Sequence, residues 1–145
     1  MSEPVYTDEQ TKEHRRIWVK ALRSGEYQQG HFGLLTDDGG YCCLGVACDL
    51  FDKAGVNPDM KWERKDGVNY FVDRAGRPPK EVMEWLGLRD RAGAYDTGSL
   101  AALNDNGAVF SQIADVIESE PDELLGKFED YAYFSGPDLI SGPEL

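Results

Sequence analysis

A single α+β domain is expected, with about four helices and two short antiparallel hairpins packed around a buried central helix, and three observations lead to it. Residues 39–51 read Gly-Gly-Tyr-Cys-Cys-Leu-Gly-Val-Ala-Cys-Asp-Leu-Phe, the least polar run of the chain. Within it Leu44, Ala47, Cys48 and Phe51 recur at the i, i+3, i+4, i+7 spacing that places them on one helix face. Three other segments repeat apolar residues at helical spacing, and Asp66-Gly67 separates two runs of aromatic and β-branched residues, a strong hairpin signal.

The elements follow in order. Thr7 and Gln10 form a capping-box pattern that starts a helix over residues 7–24, with Ile17, Trp18, Ala21 and Leu22 as its apolar stripe and Ser24-Gly25 as its stop. Lys12, Arg15, Arg16, Lys20 and Arg23 occupy much of the rest of that helix, and a solvated basic face is the expected arrangement. Between residues 30 and 42, the apolar runs His31–Leu35 and Tyr41–Cys43 flank the turn cluster Thr36-Asp37-Asp38-Gly39-Gly40, suited to a first hairpin. Its second arm leads into the central helix, which ends at Ala54-Gly55 ahead of Asn57-Pro58. Met60–Arg64 and Val68–Asp73, joined by Lys65-Asp66-Gly67, make the second hairpin.

Pro78-Pro79 opens a short third helix, where a missing N–H costs nothing, with Val82, Trp85 and Leu86 inward and Gly87-Leu88 as a Schellman stop. Residues 89–99, rich in charge and glycine, are expected as a surface loop, and Asn104-Asp105-Asn106-Gly107 as a turn. The last strong helix carries Val109, Phe110, Ile113, Ala114 and Ile117. The domain is taken as residues 1–126, and residues 127–145 as an acidic, aromatic C-terminal tail that either docks on the body or awaits a partner.

Composition narrows the function classes. At 145 residues one domain suffices, and 41% hydrophobic content with three well-separated tryptophans supplies a core. A net charge of −12, from 27 acids against 15 bases, repels nucleic acid and anionic membranes at long range, so direct nucleic-acid binding is not expected. No apolar run reaches the ~18 residues of a membrane span, and the N-terminus has neither a basic start nor an apolar segment. Three cysteines, two adjacent, build no disulfide framework, so free thiols and a cytoplasmic setting are expected.

Four ordered motifs carry a resemblance: Ala21-Leu22-Arg23-Ser24-Gly25-Glu26-Tyr27-Gln28-Gln29, Tyr41-Cys42-Cys43-Leu44-Gly45-Val46, Pro79–Gly87, and Leu103-Asn104-Asp105-Asn106-Gly107 followed by Phe110 and Ile113-Ala114. Together they resemble a family of small phage- and prophage-encoded proteins with no established activity, over most of residues 14–119. The resemblance implies a phage setting in the bacterial host cytoplasm and little chemistry. In that family a Ser or Thr often stands where this chain has Val109, which transfers the capping of the last helix to Asp105 or Asn106. The family does not share His31, and the tail looks like an addition to the shared pattern.

Each candidate chemistry has a structural counterpart. Cys42 and Cys43 fall at a helix N-terminus, where the dipole favours a thiolate nucleophile, with His31 as a base; buried packing is the alternative. Cys42, Cys43, Cys48 and His31 match no metal-ligand spacing, and Asp37-Asp38 beside Gly-Gly reads as a turn former. No metal, cofactor or catalytic residue is therefore assigned. A glycine turn entering a helix presents backbone N–H groups to an anion, making Gly39, Gly40, Tyr41, Cys42, Cys43, Asn104 and Asp105 the candidate lining of a small-ligand pocket. Tight turns and caps are the alternative for the same residues. Tyr131, Tyr133 and Phe134 are candidate partner-binding aromatics in the tail. Three readings follow: a non-catalytic binding protein, such as a phage host-takeover or counter-defence factor capturing a host protein or small signalling nucleotide; a cysteine-dependent hydrolase or transferase using Cys42 or Cys43; or an acidic DNA mimic occupying a nucleic-acid enzyme.

Overall fold

The computed structural model describes residues 5–129, a mixed α+β domain of five helices and two small antiparallel two-stranded sheets among those residues. Helix α1 spans Asp8–Ser24, α2 Cys43–Lys53, α3 Lys80–Leu86, α4 Leu100–Asp105 and α5 Phe110–Ser119. Strands β1 (Trp62–Lys65) and β2 (Val68–Phe71) form one sheet, β3 (Ala94–Tyr95) and β4 (Gly98–Ser99) the other. Among the described residues no helix is long and apolar enough to cross a membrane.

Helix α2 is the buried centre. Cys43 to Asp49 and Phe51 are all buried, so it is enclosed nearly all round. Around it lie Trp18, Phe71, Met83, Trp85, Ile113 and Leu124, all within the same core. Phe51 meets Phe71 and Trp85 edge to face with centroids 6.4 and 5.7 Å apart, and Trp18 Nε1 donates to Cys43 O at 2.9 Å. Asp49, though buried, is satisfied: it accepts from Tyr27 Oη at 2.6 Å and Trp62 Nε1 at 3.1 Å, and pairs with Lys53 Nζ at 3.0 Å. These bonds tie the β1–β2 hairpin to the central helix.

Local signals place most ends. Thr7 and Gln10 exchange both bonds of the capping box, at 3.1 and 2.8 Å. The β1–β2 turn is the two residues Asp66 and Gly67, both at positive φ (53° and 79°), the arrangement that matches strand twist. Lys65 therefore belongs to β1. Gly87 takes φ 76°, and Leu88 N–H donates to Met83 O while Gly87 N–H donates to Glu84 O, the Schellman pair.

Five expectations change. The first hairpin is not a sheet: residues 28–36 form an irregular strap, with a single antiparallel pairing between Leu35 and Tyr41. The second sheet instead lies within residues 94–99, where a plain loop is expected, and α4 replaces the expected turn at residues 104–105 because Ser99 Oγ accepts Ala102 N–H at 3.1 Å. On α1, Val19 is buried and Ile17 is 39% exposed while Trp18 and Leu22 stay inside, so the buried stripe is turned from the expected one by less than the ~100° of a single residue. The basic face of α1 is also less solvated than expected. Arg15 is buried and its Nη1 donates to Leu86 O at 2.8 Å, His14 Nδ1–H donates to Trp85 O at 2.6 Å while stacking on that indole, and Arg23 pairs with Asp115 and Glu118. The His14 and Arg15 donors satisfy C-terminal carbonyls of α3, and Arg23 ties α1 to α5.

Candidate functional site

The site is built by the strap, which crosses the N-terminus of α2. Gly45 permits that crossing: a Cβ there would lie 1.8 Å from Leu34 O. A second close approach sets Gly30 against Gly40, where a Cβ on Gly30 would meet Gly40 C at 2.7 Å. Backbone bonds then fasten the strap, from Gly30 N–H to Tyr41 O and from Tyr41 N–H to Gln28 O, both at 2.8 Å, and from Cys42 N–H to Leu34 O at 3.3 Å.

Behind the strap Asn104 is completely buried and fully used. Its Oδ1 accepts Cys43 N–H at 3.2 Å and Gln29 Nε2–H at 2.9 Å, and its Nδ2 donates to Gly30 O at 2.8 Å. Gln29 Nε2 also donates to Ala108 O at 2.8 Å. Gly40, Tyr41, Cys42, Cys43, Asn104 and Asp105 thus lie in one neighbourhood, and of these Cys42 and Asp105 line one hollow. Gly39 stands apart on the exposed turn, with its N–H spent on Thr36 O at 3.0 Å. The helix N-terminus holds no open anion cradle: Cys43 N–H is taken by Asn104, Gly45 N–H by Cys42 Sγ at 3.3 Å, and Val46 N–H by Cys42 O. Asp105 does not cap α5. That helix starts from Val109, whose N–H donates to Gln112 Oε1 at 3.0 Å, the half of a capping box that needs no hydroxyl, while Gln112 N–H donates to Val109 O at 3.0 Å.

The thiols are closed to solvent. Burial pushes Cys42 from 9.0 up to about 11, against a smaller opposing pull from the Gly45 and Leu44 backbone N–H groups, and pushes Cys43 and Cys48 well above the ordinary thiol range. Desolvation outweighs the helix end, which is the reverse of what a nucleophile needs. His31 lines an open polar hollow of about 630 Å³ with Thr36, Asp37 and Asp38, whereas Cys42 lines a different hollow, so the pair forms no dyad. Among the described residues no group of three or more His, Cys, Asp or Glu side chains is arranged to hold a metal ion.

The second hollow, about 380 Å³, has Cys42, Leu44 and Ala101 as its floor and Phe32, Arg77 and Asp105 at its rim. Phe32 is 81% exposed with φ 64°, a left-handed conformation that strains a bulky residue. Asp105 Oδ1 holds it there by accepting Phe32 N–H at 2.9 Å. Val72 shares a φ of 64° but packs against the core, and the exposed residues Asp66, Glu120 and Glu123 at positive φ are polar, so among the described residues Phe32 is the exposed apolar side chain on a left-handed backbone. Sequence reasoning missed Phe32 and Arg77. The available signal was a large aromatic between Gly30 and Gly33, which was absorbed into the expected strand. Tyr131, Tyr133 and Phe134 lie outside the described residues. The described chain does continue beyond residue 126, with Phe128 under the Arg91 guanidinium, 5.3 Å from ring centroid to Cζ, and Glu129 N–H donating to Arg89 O at 2.8 Å.

Residues 10–121 match the family described as a domain of unknown function, DUF8296. The chain belongs to that family. Its matched span runs from the first turn of α1 past the end of α5, and so takes in both the strap and the groove. No curated protein and no solved structure matches the chain.

Proposed function

We propose that the protein is a non-catalytic binding protein that docks on a partner protein through Phe32 and the groove beside it. One observation supports this most: a strained phenylalanine is held 81% exposed by a dedicated bond from Asp105. A fold that keeps an outlier where a glycine would be unstrained is using the side chain that the outlier presents. An aromatic anchor beside one cation and one carboxylate suits a partner surface with an apolar pocket ringed by opposite charges. Small-anion capture at the α2 N-terminus has less support, because the N–H groups there are already bonded. The phage setting implied by the sequence resemblance fits a factor that captures a host protein in the bacterial cytoplasm.

Capture from bacterial lysate on immobilised protein, with mass spectrometry of both proteins and small molecules, tests the proposal. The expected result is a near-stoichiometric protein retained by the wild type and lost from Phe32→Gly. Equal capture by Phe32→Gly, or retention of a nucleotide in place of a protein, overturns it.

A further inference from the structure

We infer that the patch formed by Phe32 and its groove also pairs two copies of this chain across a two-fold axis, each ring entering the other copy's hollow. This goes beyond the proposed function, because the occupant is the chain itself and no host partner is needed.

A two-fold contact requires a patch that carries its own complement, because the same residues meet from both sides. Knob and hole lie side by side here. Phe32 is 81% exposed and its backbone is pinned by Asp105, so the ring protrudes from a fixed point of the strap and does not fill the hollow it borders. That hollow, about 380 Å³, has the buried Cys42 and Leu44 on its floor. A cavity of about 150 Å³ already takes benzene, so a phenyl ring has room. Glycine leaves the wall low: Gly33 and Gly76 line the hollow, and a Cβ on Gly76 would meet no heavy atom within 4 Å. Pairing two copies removes both exposed rings from water.

The charges are self-complementary in the same way. Arg77 is exposed and makes no ion pair among the described residues. Asp105 spends Oδ1 on Phe32 N–H and on Asn104 Nδ2, which leaves Oδ2 to accept from a guanidinium. Both residues line the hollow, so the two-fold that seats the rings sets Arg77 of each copy opposite Asp105 of the other. A patch with one cation and one carboxylate pairs with itself, whereas a patch of one sign would not. The net charge of −12 on each copy opposes approach, but at about 0.15 M salt it is screened beyond roughly 8 Å and the local pairs decide. The contact is small, which makes the dimer one of the weak class that dissociates on dilution.

Sedimentation equilibrium of the full-length protein in about 0.15 M salt, from about 5 to 500 µM, covers the range in which a small contact forms. The comparison is between wild type, Phe32→Gly, Arg77→Glu and Ile17→Ser, the last changing an exposed apolar side chain outside the groove. Wild type and Ile17→Ser should pass from monomer to dimer and stop there. Phe32→Gly and Arg77→Glu should stay monomeric or need at least about tenfold more protein to pair. Both side chains are exposed, so the fold survives either change, and urea midpoints of dilute samples no lower than wild type check this. A wild type that stays monomeric throughout, a dimer that survives Phe32→Gly or Arg77→Glu, or one lost from Ile17→Ser overturns the inference. So does growth beyond the dimer, the mark of head-to-tail contact. The capture experiment fails separately: a monomer that retains a partner through Phe32 overturns the pairing alone, and a Phe32-dependent dimer that retains nothing overturns the proposed function alone.

Discussion

On its inner side the strap of residues 28–36 meets Asn104, where a side-chain amide is saturated by Cys43, Gln29 and Gly30. On its outer side it presents Phe32, strained and exposed, with Asp105 holding only its backbone. Asn104 and Asp105 are consecutive, yet one completes the interior and the other fixes a protruding ring. The difference lies in what each polar group has left to offer. A side chain with every donor and acceptor paired inside the protein cannot pay for desolvating a ligand, whereas an exposed aromatic on a fixed backbone loses little entropy on binding.

The largest expected effect lies on the inner side. Gly45→Ala would put a Cβ 1.8 Å from Leu34 O, backbone that cannot swing aside, and should cost at least about 3 kcal/mol in urea unfolding or abolish the cooperative transition. A mild loss would mean that the strap does not lie on α2 as described. Phe51→Ala, which empties the centre of the aromatic cluster, should cost about 3–5 kcal/mol, while Asp52→Ala, at the end of a 3.9 Å ion pair with Lys61, should stay near wild type. Asn104→Ala strands Cys43 N–H and Gly30 O and should cost about 2–3 kcal/mol, with faster amide exchange at Cys43 as its signature. Slow exchange there in the variant would show that the network is not what holds the helix end.

The thiols give a pH dependence. Burial raises the folded-state pKa, so the stabilising contribution of each protonated thiol is complete below its unfolded value and is lost as pH rises through the folded one. For Cys42 the window runs from 9.0 to about 11. Stability measured by urea unfolding should fall across that window, and Cys42→Ala should flatten the slope by about one proton. Thiol labelling should be slow in the native protein and fast once unfolded; rapid native labelling would place a cysteine at the surface.

Much of the interior was legible in the sequence, because local rules dictate it. The 3.6 periodicity of residues 44–51, Thr7 with Gln10, Asp66-Gly67 and Gly87-Leu88 each act within a few residues. The same locality explains the failures. Six-residue α4 is too short for a periodic signal and depends on the Ser99 cap, and the burial of Arg15 and half-burial of His14 are decided by α3, some seventy residues away. Of the candidate ligand residues Gly39 stands apart and the others lie around the α2 N-terminus, but their spacing could not say that Asn104 would take the Cys43 N–H that an anion needs. Phe32 escaped because its importance lies in a positive φ, and no residue type announces that where glycine is absent.

The smallest expected change in stability falls on the outer side and has the opposite sign, which makes it the most direct test. Phe32→Gly removes an exposed ring and relieves the left-handed strain, offset in part by the entropy of glycine, so urea unfolding should show equal stability or a gain of up to about 1 kcal/mol. The same variant should lose partner capture. If instead Phe32→Gly were destabilised by more than about 1 kcal/mol and still captured its partner, Phe32 would be part of the fold rather than its binding surface, contradicting the division between the two sides of the strap.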